Sequence, residues 1–60
     1  MLKEILQREA PSLLILLSTR ARLRGLSIDA MSDNEIVEFV RREMGEHIAE
    51  FLRRIVSRYN

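Results

Sequence analysis

The sequence predicts an all-α protein built as an antiparallel helical hairpin. Three observations lead there. Leu, Glu, Arg, Ala and Met dominate the 60 residues, and only two glycines and one proline interrupt them. Apolar residues recur at helical spacing over two stretches, about 2–24 and about 33–59. Between them GLSIDAMS, residues 25–32, reads as one short connection.

In the first helix, Leu2, Ile5, Leu6, Leu13, Leu16, Leu17 and Leu23 share one stripe if the helix runs through Pro11. Pro11 then lies opposite that stripe, where a kink is tolerated. The residue before a proline is biased away from the α region, so the alternative is a break at Ala10 with Pro11 as the first residue of a new helix. Gly25 follows Arg20, Arg22 and Arg24. That order fits a left-handed residue just past a helix end, with cations in the last turn opposing the dipole.

The second helix has a sharp start. In S-D-N-E at 32–35, the Ser32 hydroxyl can accept from the Glu35 amide while the Glu35 carboxylate reaches back to the Ser32 amide. From there Ile36, Val37, Val40, Met44, Ile48, Phe51, Leu52, Ile55 and Tyr59 keep one phase on both sides of Gly45. The expectation is one helix over about 33–59, at a glycine cost of roughly 1 kcal/mol. The two helices would be roughly 35 and 40 Å long. Near-equal lengths and a short connection predict the hairpin. Because two helices cannot enclose a core, two hairpins are expected to dimerise into a four-helix bundle. The alternative fold is a compact three- or four-helix monomer broken at Pro11 or Gly45.

Sixty residues make one small helical domain, 1–60. A chain of this size buries only about 60% of its unfolded surface, so it needs reinforcement. The absence of cysteine excludes disulfides, thiolate metal sites and cysteine nucleophiles, and a single histidine excludes a zinc site of His and Cys type. No cofactor is expected, and association with a second copy is the remaining reinforcement. No run approaches the roughly 20 apolar residues a bilayer requires, and the charged start is unlike a signal peptide. A cytoplasmic protein with no membrane partner is expected.

The net charge of +1 hides an uneven distribution. Residues 1–28 carry five bases against two acids, residues 29–50 seven acids against two bases, and residues 51–60 three bases alone. Arg20, Arg22 and Arg24, with Arg53, Arg54 and Arg58, are the candidate phosphate contacts of a nucleic-acid-binding reading. Both clusters also fall in last helical turns, where cations are stabilising without any ligand. A helix-turn-helix is excluded, because Arg20, Arg24 and Asn34 fall where that motif needs apolar residues and the connection after Gly25 is too long.

MGEHIAEF, residues 44–51, resembles the central helix of archaeal histones over a handful of residues. That family needs a third helix after this one, and no function is carried over. On a continuous helix His47 sits one turn after Glu43, at the edge of the apolar stripe. The pair is a candidate pH-sensitive interface. It misses the Glu-x-x-His spacing of di-metal bundles by one residue, so no metal site is assigned. Glu38–Arg42 and Glu50–Arg54 read as stabilising i, i+4 pairs on a solvated face. No nucleophile–base pair, phosphate loop or isolated carboxylate pair stands out, so no enzyme is expected.

The run LLILL at 13–17 is apolar on every side of a helix. Leu14 and Ile15 lie outside the main stripe, and Leu14 continues a column of small residues, Ala10, Ser18 and Ala21. Ala10, Leu14, Ile15, Ser18 and Ala21 are therefore the candidate self-association or partner interface. The function expected is a non-enzymatic oligomerisation or protein-interaction module, regulatory in character. The alternative is a small nucleic-acid-binding regulator with arginines on one dimer face.

Overall fold

The computed structural model describes residues 1–59. Among them are four α-helices and no strands: α1 (Leu2–Glu9), α2 (Pro11–Leu23), α3 (Asp33–Met44) and α4 (Glu46–Tyr59), with a single 3₁₀ turn at Ile28–Ala30 before α3. The chain is all-α, as its composition predicts. The long hairpin is replaced by a compact four-helix arrangement broken at both Pro11 and Gly45, the helix breaks that the alternative fold named.

Each boundary has a local cause. Ala10 (φ −148°, ψ 64°) ends α1 by donating its amide to the Leu6 carbonyl at 2.8 Å. The same residue starts α2, because its own carbonyl accepts from Leu13 at 3.1 Å and Leu14 at 3.2 Å. Pro11 follows at the first helical position, where its missing N–H leaves no bond unmade.

Gly25 closes α2 in the left-handed region, φ +74°. Its amide donates to Arg22 O at 3.0 Å and that of Leu26 to Ala21 O at 2.8 Å. Those two bonds are the Schellman pattern. Ser32 opens α3 with both halves of its capping box formed: Glu35 N to Ser32 Oγ at 3.2 Å, and Ser32 N to Glu35 Oε1 at 2.8 Å.

Gly45 belongs to neither flanking helix. Its φ of +98° and ψ of 174° lie in a region essentially confined to glycine. The expected continuous helix over 33–59 is therefore corrected to two. A straight helix of that length would run roughly 40 Å, and the longest dimension of the whole fold is 30 Å. Folding back at Gly45 lets α3 and α4 share one core with α1 and α2. Leu2, Leu6, Leu17, Ala21, Ile36, Phe39, Val40, Ala49 and Leu52 form its centre.

The breaks also reset which faces are buried. In α1 the stripe Leu2, Ile5, Leu6 packs inward as its spacing requires. In α2 the turn at Ala10 rotates the helix, so that Leu17 and Ala21 are buried while Leu23 is 81% exposed and Leu16 is exposed too. Phe39 and Ala49, outside the apolar stripe of a continuous helix, are both fully buried, whereas Ile48, Phe51 and Tyr59 on that stripe are exposed.

Candidate interaction site

Four of the large apolar residues left exposed line two grooves, Phe51 and Tyr59 in one and Ile15 and Leu26 in the other, whereas Met1, Leu16, Leu23 and Ile48 lie outside both. The first runs between α1 and the C-terminal half of α4 and encloses about 530 Å³. Ile5, Leu6, Ala10 and Ile55 line its apolar interior, and Phe51 and Tyr59 flank it at 51% and 52% exposure. These positions follow from α4's own spacing. Ala49 and Leu52 point into the core, which turns Phe51, Ile55 and Arg58 to its flank.

The charges of this groove are split between its walls. Glu9 stands on α1, and Arg54 and Arg58 stand on α4. Among the described residues neither arginine has a carboxylate within 4.0 Å, and Glu9 is paired only with its chain neighbour Arg8, at 3.9 Å. A groove with apolar walls, two aromatic rings, two unpaired arginines and a weakly paired carboxylate is suited to binding an amphipathic surface. Among its residues there is no nucleophile set beside a base.

The second groove lies between α2 and the connection to α3 and encloses about 470 Å³. Leu14, Ile15, Ser18, Arg22 and Leu26 line it. This is where part of the sequence-predicted interface is found. Ile15, at 67% exposure, and Ser18 face outward, whereas Ala21 is sealed in the core and Ala10 and Leu14 pack against it. The column is thus divided: Ala21 belongs to the core and Ala10 and Leu14 are half-buried, while Ser18 stays at the surface beside Ile15. The turn at Ala10 is the physical reason, because it sets which side of α2 meets the core.

The arginine clusters are not brought together. Arg20 and Arg24 are held by Glu43 of α3, at 3.7 and 3.0 Å. Arg20 also donates to the Glu43 carbonyl at 3.4 Å, in the last turn of α3 where acceptors are unsatisfied. These two residues staple α2 to α3. Arg53 pairs with Glu50 at 3.6 Å, while Arg22 lines the second groove and Arg54 and Arg58 the first.

Glu43 and His47 do not form the expected pair. The break at Gly45 places them on different helices, Glu43 binds Arg20 and Arg24, and His47 is exposed. The expected Glu38–Arg42 and Glu50–Arg54 pairs are replaced as well. Glu38 and Glu50 both turn to Arg41, which also binds Glu46 at 2.7 Å. Hydrogen bonds to Glu46 and Glu38 raise the Arg41 guanidinium above its ordinary pKa.

At the opposite end of α1, the Asp33 carboxylate accepts from the Leu2 amide at 3.1 Å and lies 3.5 Å from the Met1 amine. The Met1 amine also bonds Glu4 at 2.9 Å, which raises the amine's pKa and lowers that of Glu4. Among the described residues no group of three or more His, Cys, Asp or Glu is placed to hold a metal ion. No helix among the described residues is long and apolar enough to cross a membrane.

Phe51, Tyr59 and Ile5 are the groove residues that sequence reasoning missed, since their spacing assigns them to a helix–helix seam. Gly45 was the signal that could have found them: a break there swings α4 around and exposes one side of its stripe. Comparison of the chain with family models, curated proteins and solved structures gives no match.

Proposed function

We propose that the protein is a non-enzymatic helical interaction module that associates with a second copy of itself. One observation carries this reading. The core is already closed within a single chain, yet Phe51 and Tyr59, two of the three aromatic residues, remain half exposed on an apolar groove. Large apolar side chains gathered on a groove mark binding surfaces more often than scattered exposure does. Sedimentation equilibrium of the full chain from low to high micromolar concentration tests it. A concentration-dependent dimer is expected, and a monomer throughout that range overturns it.

A second reading, a small nucleic-acid-binding regulator, is favoured by Arg22, Arg54 and Arg58, which have no carboxylate partner among the described residues. Titration with mixed DNA and RNA at two salt concentrations tests it. Phosphate contacts require binding that weakens as salt rises. No binding, or binding indifferent to salt, rejects this reading.

A further inference from the structure

We infer that the α1/α4 groove is the self-association surface, and that its occupant is the same groove of a second copy, related by a two-fold axis. This rests on the self-association reading and adds the interface and the pairing across it.

A two-fold interface must be self-complementary: whatever one copy presents, the other must receive on the same patch. The groove meets that requirement twice. It carries both a protruding apolar group, the half-exposed Phe51, and the apolar recess between Ile5, Ala10 and Ile55 that such a group can enter. It also carries both signs of charge, Glu9 on α1 and Arg54 and Arg58 on α4. Within one chain these opposite charges line the same groove without meeting: no carboxylate stands within 4.0 Å of either arginine among the described residues. Glu9's pair with Arg8, 3.9 Å apart and well exposed on both sides, leaves its carboxylate free to exchange partners.

A second copy entering about a two-fold axis places Glu9 of each chain toward Arg54 and Arg58 of the other. Each Glu9 carboxylate then faces two guanidinium groups of the other chain, and the two Phe51 rings leave water together. The α2 groove is a weaker candidate. Its charges also include both signs, but its apolar part has no aromatic ring.

The test uses two charge-reversed chains, with substitutions only at exposed positions. In Arg54→Glu/Arg58→Glu the groove becomes wholly acidic, and in Glu9→Arg wholly basic, so each chain should repel its own copy. Two-fold pairing predicts that either chain alone dimerises at least tenfold more weakly than the wild type. An equimolar mixture should recover heterodimer at close to wild-type affinity, because each reversed wall then faces its opposite. Circular dichroism of each chain establishes that it remains folded, and Phe51→Ser, which changes no charge, should weaken the dimer independently.

Recovery on mixing supports the pairing. Variants that dimerise like the wild type, or weakened variants that do not recover when mixed, overturn it. If Ile15→Glu abolishes a dimer that the groove variants leave intact, the interface lies on α2 and this inference fails while self-association stands. A monomeric wild type overturns both.

Discussion

Arg41 and Glu50 stand nine positions apart and meet at 3.1 Å. On a straight helix nine residues span about 13.5 Å, so this contact exists only because α3 and α4 fold toward each other at Gly45. Arg41 also holds Glu46 and Glu38, and so draws carboxylates from both helices onto one guanidinium.

Arg41→Gln should lower the melting temperature and reduce its sensitivity to added salt, both read by thermal denaturation at low and high ionic strength. The raised Arg41 pKa means its contribution is present at all pH values below the guanidinium range and is lost only above it. No change in that contribution is expected between about pH 6 and 9. An unchanged melting temperature in Arg41→Gln at low salt would show that the cluster is ornamental.

Gly45→Ala separates a broken helix from a continuous one by the sign of its effect. In a continuous helix the substitution stabilises by about 1 kcal/mol. At φ +98° an alanine is strained even though nothing lies within 4 Å of its Cβ, and the expected cost is about 1–3 kcal/mol. Urea denaturation measures it, and a gain in stability would contradict the fold described.

Asp33 caps α1 from another element. Asp33→Ala should cost about 1 kcal/mol, comparable to loss of an ordinary N-cap. In a chain whose Met1 amine is free, the raised pKa of that amine gives a signed expectation. Its contribution is fully present below the ordinary value of 8.0 and disappears as pH rises through the folded value. Stability should therefore fall as pH rises above about 8, and blocking the amine should remove that slope.

Ala21 is fully buried between helices and Ile15 is mostly exposed. Ala21→Leu should overpack the core and cost about 1–3 kcal/mol, whereas Ile15→Glu should change folding stability by less than about 0.5 kcal/mol. Equal effects in chemical denaturation would mean that the rotation of α2 is other than described.

Phe39 is the largest side chain fully enclosed by the core. Phe39→Ala should cost about 3–5 kcal/mol, a large share of the stability available to so short a chain. Retention of a cooperative melt with little loss would place the centre of the core elsewhere.

Several features were legible without any tertiary information. The Ser32–Glu35 box, the left-handed Gly25, Pro11 at a helix start and the inward face of α1 can each be read from residues within a few positions of one another. The forces that set them act over the same few positions: side-chain capping, restricted φ at proline and free φ at glycine. The break at Gly45 was not legible in this way. A stripe that keeps its phase shows which residues share a face if the helix is straight, and it is equally present when the chain folds back.

The α1/α4 groove was illegible for a related reason. Phe51 and Tyr59 fit a helix–helix seam by spacing alone, and only the packing of Ala49 and Leu52 inward decides that they stand at a surface.

By itself, then, the sequence determined the all-α class, the helix ends at 25 and 32 and the apolar content that has to be covered. The tertiary structure alone decided that this content is covered first within one chain. It sealed Ala21 in the core while leaving Ser18 outside, divided Glu43 from His47, and set Glu9 across a groove from Arg54 and Arg58. The reason is that burial is collective. Which face of a helix is inside depends on where the other helices lie, and that depends on two backbone turns, at Ala10 and Gly45, whose angles helical periodicity does not encode.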